Sequence, residues 1–126
     1  MRPRNGDAAS RTERQMRYRR GSRGELLAIA MLTAKGYRIL GRRVETASGE
    51  IDLIAMRGDR LAFIEVKRRA TQAAAESSIN PRQRQRIHRA ADLWLARHPE
   101  LQRHELGFDL VFVLPWRWPR HLVNAL

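Results

Sequence analysis

The chain has no cysteine among its 126 residues, so disulfide staples and thiolate metal ligands are excluded. A reducing cytoplasm is the expected compartment. Nor is there an apolar run of the length that spans a bilayer. The N-terminal arginines are not followed by the apolar segment of a secretory signal, and Asp7 and Glu13 count against a mitochondrial-type presequence. Lysine is nearly missing: Lys35 and Lys67 are the only two, so arginine supplies almost all of the 25 basic residues. Acids are scarce as well, 13 in number, which leaves a net charge of +12.

What is present is arginine. Its planar fork matches phosphate oxygens and is weakly hydrated, so the composition favours a polyanionic partner. DNA is expected before RNA. An anionic membrane is the lesser reading, because the sequence shows no basic helix with a broad apolar face and aromatic anchors. Codon bias would explain arginine in place of lysine, but not the excess over acids. At this length the chain forms one domain with a core that needs no staples. Residues 1–21 carry Arg2, Arg4, Arg11, Arg14, Arg17, Arg19 and Arg20 with hardly any large apolar residue. They read as a disordered basic tail that drapes on phosphate or aids solubility. The domain is expected over 22–126.

Two runs of strand length, Gly49-Glu50-Ile51-Asp52-Leu53-Ile54-Ala55 and Phe63-Ile64-Glu65-Val66-Lys67, flank the turn Arg57-Gly58-Asp59-Arg60. A hairpin closed there sets Met56 against Leu61, Ile54 against Phe63, Asp52 against Glu65 and Glu50 against Lys67. Two carboxylates roughly 5 Å apart repel by about 3 kcal/mol at an effective dielectric near 20. A hard divalent cation offsets such a pair; the bland reading is a solvated ion-pair cluster. Ile51, Leu53 and Ala55 would share the other face with Ala62, Ile64 and Val66. Both faces are then apolar away from one charged rim, which makes the hairpin central in its sheet.

Ser22 to Lys35 reads as a helix closed by Gly36, with Ser22 and Glu25 in capping-box spacing. Glu25 also shares a stripe with Ile29 and Leu32, which would turn it toward the sheet. Leu26, Leu27, Ala30 and Met31 make this helix apolar nearly all round, so burial on most sides is expected. Tyr37 to Val44 is a first strand. The connection over 68–78 carries no clear pattern. Asn80-Pro81 starts a second helix that reaches about Arg97, with Ile87, Ala91, Trp94 and Leu95 inward. Arg82, Arg86 and Arg89 form a stripe on roughly the opposite side, suited to a phosphodiester backbone or to solvent. Phe108 to Leu114 is a further strand, with Asp109 at its mouth or paired with arginine. His121 to Leu126 adds a short last one. Trp116 and Trp118 flank Arg117 between them, as base-stacking groups or core anchors. The order α-β-β-β-α-β(-β) predicts an α/β domain, a mixed central sheet flanked by helices.

His88, His98, His104 and His121 lack metal-ligand spacing, and no Gly-rich phosphate loop or nucleophile elbow occurs. The carboxylate pair and Lys67 remain, and oxygen ligands suit Mg²⁺ or Mn²⁺.

Asp52, then Glu65-Val66-Lys67 thirteen residues on, with Glu25 ahead of them, resembles the PD-(D/E)xK restriction-endonuclease-like superfamily. Within it, Gly24-Glu25, Gly49-Glu50-Ile51-Asp52-Leu53-Ile54, Phe63-Ile64-Glu65-Val66-Lys67-Arg68-Arg69, Phe108-Asp109 and Asn124-Ala125 are similar to the YraN-like family. That group is regarded as predicted endonucleases similar to archaeal Holliday-junction resolvases. The resemblance spans about residues 20–126 and implies a restriction-endonuclease-like fold and a metal-dependent endonuclease acting on DNA. It implies Asp52, Glu65 and the Val66 carbonyl as metal ligands, Lys67 as catalytic lysine and Glu25 as accessory acid. Arg68, Arg69, Arg82, Arg86 and Arg89 are the expected nucleic-acid contacts; a homodimer is compatible. The chain departs from that family's pattern at Gln83, usually lysine, and at Gly107, usually arginine. Both departures bear on phosphate contacts.

Overall fold

The computed structural model describes residues 23–126. The tail expected over 1–21, and Ser22 of the expected capping box, lie outside the described residues. Helix α1 covers 23–34 and is followed by β1 (Arg38–Thr46), β2 (Gly49–Arg57) and β3 (Arg60–Arg68). Then come α2 (Gln72–Ser77), α3 (Pro81–Ala96), a short 3₁₀ turn (Pro99–Leu101), β4 (Glu105–Val113) and β5 (Arg120–Leu122). The five strands form one mixed sheet in the order β1-β2-β3-β4-β5. Only β3 and β4 pair in parallel, and α2 and α3 supply the crossover that such a pair requires. The expected mixed α/β architecture is what the chain adopts, with the β2–β3 hairpin in the interior of the sheet.

Local chemistry explains most boundaries. The α1 helix ends where Gly36 takes φ +93° and Tyr37 N–H donates to Leu32 at 3.0 Å. Arg57 pairs with Arg60, so the β2–β3 loop is Gly58-Asp59, with Gly58 at φ +57°. Asn80 Oδ1 accepts from Gln83 N–H at 3.0 Å and Pro81 follows it into the first turn. In the connection that gave no clear pattern, Thr71 caps the extra helix α2 by accepting from Ala74 N–H at 3.1 Å.

The core lies on both faces of the sheet. Leu53, Ala55, Ala62, Ile64, Val111 and Val113 pack under Ala28, Met31 and Leu32 of α1. Ile54, Leu61 and Phe63 pack against Ile87, Ala90, Ala91 and Leu95 of α3. Two expectations need correction. Helix α1 is buried along one stripe only: Leu26 and Leu27 are about half exposed, because nothing among the described residues covers its outer side. Ile51 joins the α3 cluster rather than the face of Leu53 and Ala55. The alternation of β2 breaks at Asp52, and this break shapes the site.

A second polar feature is structural. The Asp109 carboxylate is fully buried and takes hydrogen bonds from Arg60 Nη1 (2.7 Å), Arg60 Nη2 (2.6 Å) and Asn124 N–H (2.8 Å), and lies 2.8 Å from His121 Nε2. Of the two readings of Asp109, the arginine pair is the one that holds. It ties β5 and the C-terminal segment to β3 and β4. Gly107 is part of this arrangement, since a Cβ there would collide with the Arg60 guanidinium. Burial alone would raise the Asp109 carboxyl, but the hydrogen bonds from Arg60, His121 and Asn124 outweigh it and hold it well below the usual range.

A depressed folded-state pKa gives stability that is complete above the unfolded value of 3.8 and drains as pH falls below it. Asp109→Asn should therefore cost about 3–5 kcal/mol at neutral pH, as for one partner removed from a buried pair. Denaturant melts of both proteins from pH 7 to pH 2 should show the difference shrinking below pH 4. A constant difference would contradict this assignment.

Candidate metal and nucleic-acid site

The ladder between β2 and β3 runs from Arg57–Arg60 to Leu53–Ile64 and goes no further. The expected opposition of Asp52 to Glu65 and of Glu50 to Lys67 is therefore not a ladder pairing. Instead the Asp52 side chain turns into the gap, and its Oδ2 accepts the Val66 N–H at 2.8 Å. A carboxylate thus replaces the backbone acceptor that a continued ladder would have supplied. Glu50, exposed, pairs with Glu45 of β1.

A cleft of about 240 Å³ opens at this gap, lined by Glu25, Arg43, Glu50, Asp52, Val66 and Arg68 beside Gly24. Glu25 does face inward, as its stripe suggested, and is buried. Arg43 Nε lies 2.9 and 3.0 Å from its two carboxylate oxygens, and Arg42 stands 3.9 Å away. Arg43 holds this position at φ +46°, which arginine rarely adopts. Sequence reasoning did not find Arg43, because a strand arginine carries no mark of which acid it meets.

Glu65 and Lys67 do not line that cleft. Lys67 is buried, with its ammonium 3.6 Å from Glu65 Oε1, and Arg86 of α3 reaches the same oxygen at 3.2 Å. The second oxygen, Glu65 Oε2, is buried with no hydrogen-bond partner. Charge links the two groups. Burial and the neighbouring acids Glu65, Glu25 and Glu50 push the Asp52 carboxyl up to about 6, against the lowering effect of Val66 N–H. Burial pushes Lys67 down from the ordinary lysine value, with Glu65 partly offsetting it. Among the described residues, no three histidine, aspartate or glutamate side chains gather closely enough to hold a metal ion by themselves.

The arginines fall into two places. Arg68 lines the acidic cleft, and Arg69, next to it, donates to the Arg68 carbonyl at 2.8 Å. Arg82, Arg86 and Arg89 line a neighbouring groove with Ala47 and Ser48. Arg86 is not simply opposite the buried face: it leans across Gly49, where a Cβ would lie 3.0 Å from Arg86 Cδ, to reach Glu65. Gln83, one turn earlier on α3, holds a buried Oε1 without a partner.

A carboxyl whose folded pKa is raised costs stability as pH climbs from the unfolded value of 3.8 through about 6. Asp52→Asn keeps an acceptor for Val66 N–H and removes the charge. In EDTA at pH 7.5 it should stabilise the protein by about 1–3 kcal/mol, read from urea melts. A loss of stability would mean that the site carries no such repulsion.

The model of the uncharacterised protein family UPF0102 matches residues 24–113. A UPF0102 protein of Mesorhizobium japonicum is 54% identical over 112 residues, covering 89% of this chain and 90% of its own length. One from Chelativorans sp. is 52% identical over 117 residues, covering 93% and 94%. One from Maricaulis maris is 58% identical over 102 residues, covering 81% and 80%. With the matched span taking in both hairpin motifs, α3 and β4, the chain belongs to the UPF0102 family.

Proposed function

We propose that the protein is a metal-dependent endonuclease that hydrolyses DNA phosphodiester bonds, with Asp52, Glu65, Lys67 and Glu25 as its working groups. The observation that carries this reading is the unpartnered, buried Glu65 Oε2 beside a buried lysine and within the field of Asp52. A buried carboxylate oxygen without a donor is costly unless a cation or solvent satisfies it. Oxygen donors on Asp52, Glu65 and the Val66 carbonyl suit Mg²⁺ or Mn²⁺, and they would hold it. Such an ion, when bound, would stabilise negative charge on a phosphate and add to the positive charge that Lys67, Arg43 and Arg86 already bring to these acids.

The chain's own residues do the rest. In this reading Lys67, lowered by burial, would orient the attacking water or stabilise charge as the water oxygen bonds to phosphorus and the P–O ester bond breaks. Glu25, fixed by Arg43, takes the role of accessory acid near that water. Arg68 and the groove of Arg82, Arg86 and Arg89 would carry the flanking phosphates, with Arg69 beside them. No helix among the described residues is long and apolar enough to cross a membrane. A second reading, a nucleic-acid-binding module without turnover, draws on the Arg86 guanidinium already seated on Glu65.

Asp52→Ala and Lys67→Ala should each lower Mg²⁺- or Mn²⁺-dependent cleavage at least about 100-fold, with DNA affinity changed only a few-fold. The screen should include linear, nicked, flapped and four-way DNA; no cleavage by the wild type with either ion would favour the binding module. Mn²⁺ should also raise the melting temperature of the wild type and not that of Asp52→Ala. Arg82→Ala and Arg89→Ala should each flatten the salt dependence of DNA binding by about one counterion. An unchanged slope would remove that groove from the phosphate path.

A further inference from the structure

After β4 the chain turns at Pro115 into Trp116-Arg117-Trp118 before β5. Neither tryptophan anchors the core. Trp116 is fully exposed at φ +62°, and Trp118 is 64% exposed. Tryptophan is a poor choice for an exposed left-handed position, where glycine or asparagine would sit without strain. The two rings border a groove of about 400 Å³ whose walls include Leu27, Val113 and Pro115 and whose rim is Arg23, Arg68 and Arg117. No acid lines it. Gly24 and Arg68 line this groove and the acidic cleft alike, so the two meet over the end of β3.

Aromatic faces ringed by guanidinium groups match one class of ligand well. An unpaired nucleotide offers a flat base to the rings and a phosphate to the arginines, whereas a duplex hides its base faces. An apolar peptide would not match the positive charge that Arg23 and Arg117 bring to the rim.

We propose that the Trp116-Arg117-Trp118 loop is a stacking subsite for an unpaired DNA nucleotide next to the acidic cleft. The substrate class is then DNA with a single-stranded segment, such as a flap, gap or overhang. Its place beside the cut rests on the nuclease reading above, but stacking itself needs no cleavage.

The test uses the full chain in EDTA, with tryptophan fluorescence and affinity read against a 12-nucleotide dT strand and a blunt duplex of matched length. The strand should quench emission in the wild type, and Trp116→Phe should lose that quenching. Trp116→Ala should weaken dT binding about 10-fold while duplex affinity stays within about twofold. Equal losses on both DNAs, or no quenching, would overturn the proposal. So would a blue shift with phosphatidylglycerol vesicles in place of a dT response. Failure of iodide to quench the Trp116-dependent emission of the free protein would also overturn it, since the protein's own chain or a second copy then covers the ring. Cleavage with Mn²⁺ is scored separately. Quenching without cleavage keeps the subsite and removes the nuclease, whereas cleavage without quenching does the reverse.

Discussion

The hydrogen bond from Val66 N–H to Asp52 Oδ2 stands at the point where two paired strands stop being a sheet. Up to Leu53 and Ile64 the hairpin is held by its ladder and by apolar packing on both faces. Beyond them a side chain takes over from the backbone, and β2 turns so that Ile51 joins the α3 cluster. The gap admits Glu25 from α1, while Glu65 meets Arg86 of α3 and Lys67 beside it. The site is the consequence of ending a ladder early inside an otherwise apolar core.

That position explains the electrostatics. Asp52 feels burial and three acids, and one buried oxygen of Glu65 has no donor. Arginines offset part of this charge from outside: Arg43 on Glu25 and Arg86 on Glu65. Arg86 and a metal ion would share the Glu65 carboxylate, one oxygen each. Arg86, reaching over Gly49 from a half-exposed position on α3, takes Oε1, and the proposed function needs the other oxygen, Oε2, which has no donor.

Much of this was legible in the sequence, and the limits are physical. The Gly58-Asp59 turn, the apolar faces and the Asn80-Pro81 cap are local, so the hairpin register near the turn and the start of α3 follow from them. The register beyond Leu53 does not, because a side chain that displaces a ladder bond leaves no trace in alternation. Inward-facing Glu25 was legible from its stripe; its partner Arg43 was not. Gly107 looked like a lost phosphate contact. In the fold it is the space through which Arg60, from the neighbouring strand, reaches Asp109. Gln83 has no such compensation, since its buried carbonyl oxygen finds no partner. The tryptophans show the converse limit. Burial statistics favour core anchoring for that residue, and only the fold places both rings outside the core.

Anomalous diffraction from crystals soaked in Mn²⁺ is the most direct measurement of the central claim. The account predicts one strong peak where β2 and β3 part, bonded to Asp52 and to Glu65 Oε2. No peak there, or a peak bonded to neither carboxylate, would contradict it.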